Sequence, residues 1–202
     1  MYNSKCKGPF RSLIPIILAS GSPRRKELLS SLGIDFTIKA SHAKELSPSP
    51  DIDPKEYALK NARIKSFSKE NSIVIAADTI VVLEDQVIGK PKDEQDAIHM
   101  LGRLCGRCHQ VFTACVITKG DEKVEFISES KVWLSAQPLS IIKAYIATKE
   151  PMDKAGSYAV QGMGAFMVER IEGSYTNVVG LPLSDVTETL LQLEAIEANN
   201  EH

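Results

Sequence analysis

Cysteines, aromatic residues and long apolar runs are all scarce in this chain of 202 residues. Its four cysteines are too few for a disulfide-stabilised scaffold of this length, which indicates a reducing compartment. The apolar run at 13–19 contains Pro15 and is followed by Ser-Gly-Ser-Pro-Arg-Arg, so it does not resemble a secretory signal. No run approaches the roughly 18 apolar residues of a membrane helix. We therefore expect a cytoplasmic protein with no membrane partner.

An excess of charge of one sign is also lacking. Lys and Arg total 24 while Asp and Glu total 26, which gives a formal net charge of −2. Non-specific binding of nucleic acid requires a basic surface, so we expect no nucleic-acid partner. Hydrophobic residues make up 43% of the chain, which is enough for one sizeable core. We predict a single domain over 1–202, with flexible tails at 1–12 and 197–202.

Short apolar runs alternate with helical patterns in the first half of the chain, and paired strands follow. The run 73–83 is apolar and rich in β-branched residues except for Asp78, which is typical of a central strand buried on both faces. This alternation predicts an α/β fold with a mixed sheet and flanking helices. We predict strands at 14–19, 35–40, 73–83, 110–118 and 123–134, two more within 156–179, and helices that begin at Ser22 (to Gly33), Asp53 (to Lys69), Asp93 (to Leu104), Ser140 (to Thr148) and Ser184 (through Ile196).

The first candidate for chemistry is the segment 20–25, which connects a predicted strand to a predicted helix. Backbone N–H groups at a helix N-terminus favour anions, and Ser20, Ser22, Arg24 and Arg25 add donors and positive charge that suit a phosphate. Basic residues at a helix start oppose the helix dipole unless an anion binds there. The alternative is a capped helix with a solvated basic first turn, and the segment alone does not decide between the two.

Asp78 is the second candidate. A carboxylate within an apolar strand is costly to bury, so it requires a partner, a metal ion or a position that faces a cleft. The alternative is an aspartate that accepts backbone N–H groups in a turn between two strands. Lys65, on the preceding helix, and Lys90, in a Gly-Lys-Pro turn, are close to it in sequence, although each alone is typical of surface charge.

The third candidate is the segment 105–109 (CGRCH), which matches both a haem-attachment pattern and a redox Cys-x-x-Cys pattern. Covalent haem attachment requires export, and a thioredoxin-like pair opens a helix, whereas Cys105 and Cys108 follow one. A zinc site would need a second pair of ligands with regular spacing. We interpret the two cysteines as small side chains in a turn, with a thiol redox or haem protein as the alternative.

Six blocks of sequence in unbroken order resemble the Maf family of nucleoside triphosphate pyrophosphatases. The resemblance extends from about residue 14 to about residue 193. The blocks are 18–29 (LASGSPRRKELL), 76–81 (AADTIV), 89–91 (GKP), 152–158 (MDKAGSY), 160–162 (VQG) and 180–183 (GLPL).

This resemblance implies a two-lobed α/β fold, Maf/ITPase-like, with a central twisted mixed sheet, flanking helices and a nucleotide-binding cleft. It implies hydrolysis of a nucleoside triphosphate to the monophosphate and diphosphate with a divalent cation, Mg²⁺ or Mn²⁺, in a cytoplasmic homodimer. It also implies a role in removing unwanted nucleotides or in arresting cell division. A nucleotide-binding regulator without turnover is a further alternative.

Residue roles follow from the same resemblance. The aspartate of the Ala-Asp-Thr block is the family's proton acceptor and corresponds to Asp78. Three positions associated with substrate choice correspond to Arg24, Thr79 and Gln161, a combination that resembles the branch acting on dTTP and UTP rather than 7-methyl-GTP. An acid and two lysines that recur in family sites correspond to Glu45, Lys65 and Lys90.

The expected site therefore has three overlapping sets of residues. Lys44 stands where many members have a second acid, which leaves Glu45 as the local carboxylate. Cys105 and Cys108 stand where relatives carry hydroxyl residues. We expect catalysis by Asp78, Glu45, Lys65 and Lys90, metal binding by Glu45 and Asp78, and substrate binding by Ser20, Ser22, Arg24, Arg25, Thr79 and Gln161.

Overall fold

The protein is described by a computed structural model that covers residues 8–49 and 52–200. Within these residues, a seven-stranded mixed sheet has the order β3-β2-β4-β6-β7-β8, with β5 paired to β4, and a two-stranded sheet joins β1 to β9. The strands are β1 (Phe10–Ser12), β2 (Ile16–Leu18), β3 (Thr37–Ile38), β4 (Ile73–Leu83), β5 (Gln86–Ile88), β6 (Cys108–Lys119), β7 (Glu122–Leu134), β8 (Val168–Gly173) and β9 (Ile196–Ala198).

Helices flank the central sheet, so the predicted α/β class is confirmed. The α-helices are α1 (Pro23–Ser30), α2 (Pro54–Lys65), α3 (Glu94–Leu104), α4 (Leu139–Ala147), α5 (Tyr175–Val179) and α6 (Leu183–Gln192), and three 3-10 helices cover Glu150–Asp153, Ala155–Ser157 and Met163–Met167. The predicted caps of α2 and α3 form: Asp53 accepts the Lys55 and Glu56 N–H groups, and Asp93 accepts the Asp96 N–H. A side-chain carboxylate at these positions satisfies N–H groups that the helix leaves unpaired.

The long central strand β4 serves two hydrophobic cores. Its first half packs with β2, α1 and α6 in one core, and its last residues pack with α3 and α4 in another. On the opposite face, α2 covers the second half of β4 and the adjoining part of β6. The two cores lie at opposite ends of β4, which gives the molecule two lobes that share one sheet.

One edge of β4 changes partner along its length. Strand β2 runs parallel to it and pairs with residues 73–75, whereas β5 runs antiparallel and pairs with residues 81–83. Residues 76–80 lie between these two pairings, where the chain after β2 turns away into α1. A gap of this kind at the carboxyl end of a parallel strand is a common place for a ligand cleft.

Several sequence predictions require correction. The predicted flexible tails are ordered in part, because β1 pairs with β9 and the two strands satisfy each other's backbone groups; residues 1–7 and 201–202 lie outside the described residues. Helix α2 ends at Lys65 rather than Lys69. Ser140 lies inside α4, whose N-cap position is Pro138.

The region 156–179 was predicted as two strands because it is rich in glycine and aromatic residues. It contains one strand, β8, preceded by 3-10 turns and followed by the short helix α5. Glycines with positive φ angles bend this chain repeatedly and prevent an extended path. The last helix ends at Gln192, and Ile196, predicted to lie within it, belongs to β9. None of the helices in the part of the chain described here combines the length and apolar character needed to cross a membrane.

Candidate active site

A cleft of about 900 Å³ opens at the gap along β4, between the two lobes. The loop after β2, the start of α1, the middle of β4, the turn after β5 and the 3-10 region all contribute to its walls. All ten residues expected from the sequence line this cleft: Ser20, Ser22, Arg24, Arg25, Glu45, Lys65, Asp78, Thr79, Lys90 and Gln161.

Asp78 and Lys65 form an ion pair on one side of the cleft. Asp78 lies on the face of β4 that α2 covers, and Lys65 is the last residue of α2. Lys65 Nζ donates to Asp78 Oδ1 at 2.5 Å and lies 3.0 Å from Glu45 Oε1. The Lys65 and Asp78 side chains are 13% and 8% exposed, whereas Glu45 is 50% exposed. The buried carboxylate therefore has the charged partner that its burial requires.

Thr79 projects from the opposite face of β4 and joins a second polar network. Arg25 Nη2 donates to Thr79 Oγ1 at 2.9 Å, Arg25 Nη1 donates to Ser20 Oγ at 3.2 Å, and Arg25 Nε donates to the Gly180 carbonyl at 2.7 Å. Thr79 Oγ1 also lies 2.9 Å from Thr113 Oγ1, its cross-strand neighbour. Burial lowers the pKa of Arg25, and the nearby Asp78 carboxylate partly offsets that effect. Arg25 thus fixes the loop after β2 against β4 and Gly180.

Arg24 points to the other lobe. Its Nη1 atom lies 3.5 Å from Asp153 Oδ2, and Asp153 Oδ1 accepts from Lys154 Nζ at 2.7 Å. Lys154 is only 13% exposed, and its ammonium also donates to the Glu150 carbonyl at 2.5 Å. The cleft is therefore bridged by an aspartate that links a cation from α1 to a cation from the 3-10 region.

The remaining expected residues lie on turns. Lys90 is exposed just after β5, and the neighbouring Gly89 carbonyl accepts the Gly156 N–H at 3.0 Å. Gln161 is half-buried between two 3-10 helices. Ser22 occupies the N-cap position of α1, but the predicted side-chain cap is absent; its backbone N–H instead donates to Ser20 Oγ at 3.3 Å.

Asp153 and Lys154 were not singled out from the sequence, although both line the cleft. They lie within the block 152–158, one of the six that carry the family resemblance. A lysine beside an aspartate is typical of solvated surface charge, so the local sequence carries no signal of its own. Their position in the cleft depends on how the 3-10 region packs against α3 and β4.

The carboxylates of Asp78 and Glu45 converge on one atom, Lys65 Nζ, and so face a common point. Among the residues that the structure describes, no group of three or more His, Cys, Asp or Glu side chains could hold a metal ion. Mg²⁺ commonly binds proteins through one or two carboxylates while substrate phosphates and waters complete its shell. The pair therefore fits a hard divalent cation shared with a phosphate ligand and does not fit a cage made by protein alone.

The Cys105 and Cys108 thiols lack the lowered pKa that is expected of a redox pair. Burial raises the pKa of both thiols, and a reactive cysteine requires a lowered one. Both are free; Cys105 directly follows α3, and Cys108 is the first residue of β6. The following His109 is buried, with Nε2 at 2.8 Å from the Tyr158 hydroxyl, so it belongs to the core rather than to a ligand set.

Comparison with known proteins adds an independent finding. The profile of the family described as Maf-like protein matches residues 15–193. A dTTP/UTP pyrophosphatase of Thermoanaerobacter sp. is 48% identical over 182 residues, which cover 87% of this chain and 94% of that protein. One of Desulfotalea psychrophila is 44% identical over 188 residues, covering 90% and 96%. A solved structure, the Ham1 protein of Staphylococcus aureus, matches with a TM-score of 0.39 and 16% identity over 60% of this chain and 72% of that one, a likeness too slight to support an inference.

Proposed function

The chain belongs to the Maf family, and on that premise we propose that it hydrolyses dTTP and UTP to the nucleoside monophosphate and diphosphate. The observation that carries the proposal is the cleft itself, where an ion-paired aspartate, several cations and a polar amide side chain line one cavity. The names of the relatives, which are 42–48% identical over most of their length, support the same substrates.

Phosphate binding falls to the cations and to the start of α1. The Ser22–Pro23 junction opens α1, so the free N–H groups of its first turn offer donors to an anion. Arg24 and Lys90 reach the cleft from its two sides and supply positive charge to a triphosphate. Arg25 is committed to Ser20, Thr79 and Gly180, so its role is to hold this anion-binding loop in place.

Asp78 is the proton acceptor in the proposed reaction. Its carboxylate takes a proton from a water that attacks the α-phosphorus, and the diphosphate leaves with the electrons of the broken P–O bond. Lys65 orients the carboxylate through its hydrogen bond and places a positive charge next to the reacting phosphate. Apolar strand residues around Asp78 restrict bulk water on that side.

Glu45 and Asp78 would hold a divalent cation, Mg²⁺ or Mn²⁺, which when bound supplies Lewis-acid stabilisation of charge on the phosphate oxygens. Glu45 is half-exposed on the loop before α2, so its side chain can adjust when a nucleotide enters. In the absence of that cation, Lys65 pairs with both carboxylates and offsets one of their two negative charges.

Selection among bases falls to Gln161 and Thr79. An amide side chain offers both a donor and an acceptor, which suits the N3–H and O4 pattern of uracil and thymine. With its amide held in one orientation, such a group rejects bases that present the reversed pattern. Thr79 Oγ1 is already engaged with Arg25 and Thr113, so it contributes through its position beside Gly180 rather than as a free donor.

The cellular setting is also part of the proposal. We place the reaction in the cytoplasm, where the three described cysteines would stay reduced, as they are in the structure. We expect a homodimer and a role in removing unwanted pyrimidine nucleotides or restraining cell division. Sedimentation equilibrium checks the dimer, because a monomer at micromolar concentration would contradict it.

A panel of nucleoside triphosphates tests the function directly. With Mg²⁺ present, dTTP and UTP should yield diphosphate and monophosphate in equal amounts, and both should be preferred over ATP and GTP. Chelation of the cation should stop the reaction and its return should restore it. Release of inorganic phosphate instead of diphosphate, or a preference for purines, would overturn the proposal.

A further inference from the structure

The Glu150 carboxylate lies directly behind the cleft wall that carries Gln161. Glu150 begins the first 3-10 helix. Its Oε1 atom accepts the Met163 N–H at 3.0 Å, and its Oε2 atom accepts the Gly164 N–H at 2.9 Å and the Tyr145 hydroxyl at 2.8 Å. A carboxylate bound by three donors is held in one orientation and acts as an anchor for the backbone that it binds.

Tyr145 holds the same wall on the other side of Gln161. Its side chain is buried in the second core, and its hydroxyl accepts the Ala159 N–H at 3.2 Å while donating to Glu150. The segment 159–164 is therefore fixed at both ends by one hydrogen-bonded pair, and Gln161 lies between the two attachment points.

Gly162 and Gly164, which follow Gln161, leave the space that Glu150 and Tyr145 occupy. Gly162 has a φ angle of 91°, and a Cβ atom there would collide with Glu150 Oε1. A Cβ atom on Gly164 would lie 2.5 Å from the Tyr145 hydroxyl. Glycine permits both the positive φ angle and the close approach, so the sequence of the turn and the position of Glu150 depend on each other.

The charge on Glu150 is favoured by the same contacts. Burial alone raises the pKa of Glu150, but the hydrogen bonds from the Met163 N–H, the Tyr145 hydroxyl and the Gly164 N–H outweigh it, and the pKa of the carboxyl group is lowered. The anchor therefore accepts hydrogen bonds as a carboxylate at neutral pH.

We propose that Glu150, supported by Tyr145, is a positioning residue that sets base selectivity by fixing the backbone on both sides of Gln161. The inference rests on the proposed function, because it requires Gln161 to meet the base. Neither Glu150 nor Tyr145 lines the cleft, so each acts through the segment and not on the substrate.

The test compares kcat/KM for UTP with kcat/KM for CTP, whose base reverses the donor and acceptor pattern. In Glu150→Ala the UTP:CTP ratio should fall about tenfold, mainly through a higher KM for UTP, since a misplaced hydrogen-bonding group loses discrimination. Inhibition by inorganic triphosphate, which lacks a base, should be unchanged. Glu94→Gln is the control, because Glu94 is an exposed acid on α3 whose carboxylate pairs with Lys149.

A double-mutant cycle separates positioning through Gln161 from other effects. If Glu150 acts through Gln161, adding Glu150→Ala to Gln161→Ala should change the UTP:CTP ratio no further. Independent, multiplicative losses would overturn the inference. So would a ratio that stays at the wild-type value in Glu150→Ala while kcat falls equally for both substrates, which is the result of a merely structural defect.

Failure of the proposed function is distinguishable from failure of this inference. If the wild-type protein releases no diphosphate from any nucleotide, the function fails and the inference fails with it; if the wild type is active and selective but the Glu150 variants keep its ratio, the inference alone fails. Should Glu150→Ala not fold, Tyr145→Phe preserves the buried ring and removes only the hydroxyl. The same loss of selectivity, smaller in size, is expected there, and an unchanged ratio in that variant would overturn the inference.

Discussion

Lys65 Nζ donates to Asp78 Oδ1 over 2.5 Å, and this contact joins the end of helix α2 to the middle of the central strand. Both side chains are largely buried, so each charge depends on the other. Asp78 also belongs to residues 76–80 of β4, the stretch of this strand edge that pairs with neither β2 nor β5. The ion pair therefore both joins α2 to the sheet and lies in the candidate active site.

Asp78→Asn should abolish diphosphate release while the protein remains folded. The amide keeps the shape of the side chain but cannot accept a proton from water, so kcat should fall by at least about 100-fold. Circular dichroism and a thermal melt check that the fold survives. Glu129→Gln, a change of the same kind on β7 outside the cleft, should leave turnover unchanged. Near-normal turnover in Asp78→Asn would remove this carboxylate from the mechanism.

Much of this arrangement could be predicted from the sequence, because its signals are local. Asp78 interrupts an apolar strand, and the segment 20–25 joins a strand to a helix, so both were candidates for chemistry. The pairing of Lys65 with Asp78 could not be read from the sequence, since it depends on how α2 docks on the sheet. Gly-rich and aromatic content misled the prediction for 156–179, where 3-10 turns replace a strand.

Two adjacent arginines show most clearly what the sequence leaves undetermined. Successive residues of a helix point about 100° apart, so Arg24 and Arg25 must face different surroundings. Which of them turns into the protein depends on the packing of α1 against β4 and Gly180. The structure shows Arg25 turned into the protein and Arg24 turned toward Asp153.

Arg24→Ala should weaken substrate binding more than it slows turnover. The guanidinium supplies charge to the phosphates in ground state and transition state alike, so the fall in kcat/KM, about tenfold, should appear mostly in KM. Steady-state kinetics with UTP measure this split. Arg11→Ala is the control, because Arg11 is an exposed arginine paired with Glu197 on the small sheet. An unchanged kcat/KM would show that Arg24 is only a solvated helix residue.

Arg25→Lys should instead lower both stability and kcat. A lysine keeps the positive charge but cannot reach Ser20, Thr79 and the Gly180 carbonyl together, which leaves acceptors without donors. The free energy of unfolding, measured in urea, should drop by about 2 kcal/mol. Lys26→Ala, one residue further along α1 and exposed, should change neither quantity. A stable Arg25→Lys variant with normal kcat would contradict the positioning role of Arg25.

Replacing Cys105 and Cys108 together by Ser should leave nucleotide hydrolysis intact. Cys105 follows α3 and Cys108 begins β6, both outside the cleft lining, and burial raises the pKa of each thiol, so neither is activated for chemistry. Cys108 is exposed and tolerates a hydroxyl, while half-buried Cys105 has room for a smaller side chain. The hydrolysis rate and a thiol-exchange assay check the prediction. Disulfide-exchange activity in the wild type that disappears in the double variant would support the redox alternative.

The pH dependence of stability should carry a signature of His109. Burial lowers the pKa of His109 to about 4, whereas an unfolded histidine titrates near its ordinary value of 6.5. Between these two values the unfolded chain binds a proton that the folded chain excludes, so the stability that His109 contributes is fully present above pH 6.5. It is lost progressively as the pH falls toward 4. The imidazole is confined by Tyr158, whose hydroxyl lies 2.8 Å from Nε2, and Nδ1 has no hydrogen-bond partner among the described residues.

His109→Gln should therefore flatten the pH profile. Relative to this variant, the wild type should lose on the order of 3 kcal/mol in free energy of unfolding between pH 7 and pH 4, because each pKa unit corresponds to about 1.4 kcal/mol. Urea unfolding at intervals of one pH unit measures the difference, and acids that titrate equally in both proteins cancel from it. His99→Gln, the same change at an exposed position on α3, should run parallel to the wild type. If the His109→Gln curve also ran parallel to the wild type, the pKa of His109 would not be lowered by folding. The imidazole would then be protonated in the folded state at pH 4, with the Tyr158 oxygen serving as its acceptor.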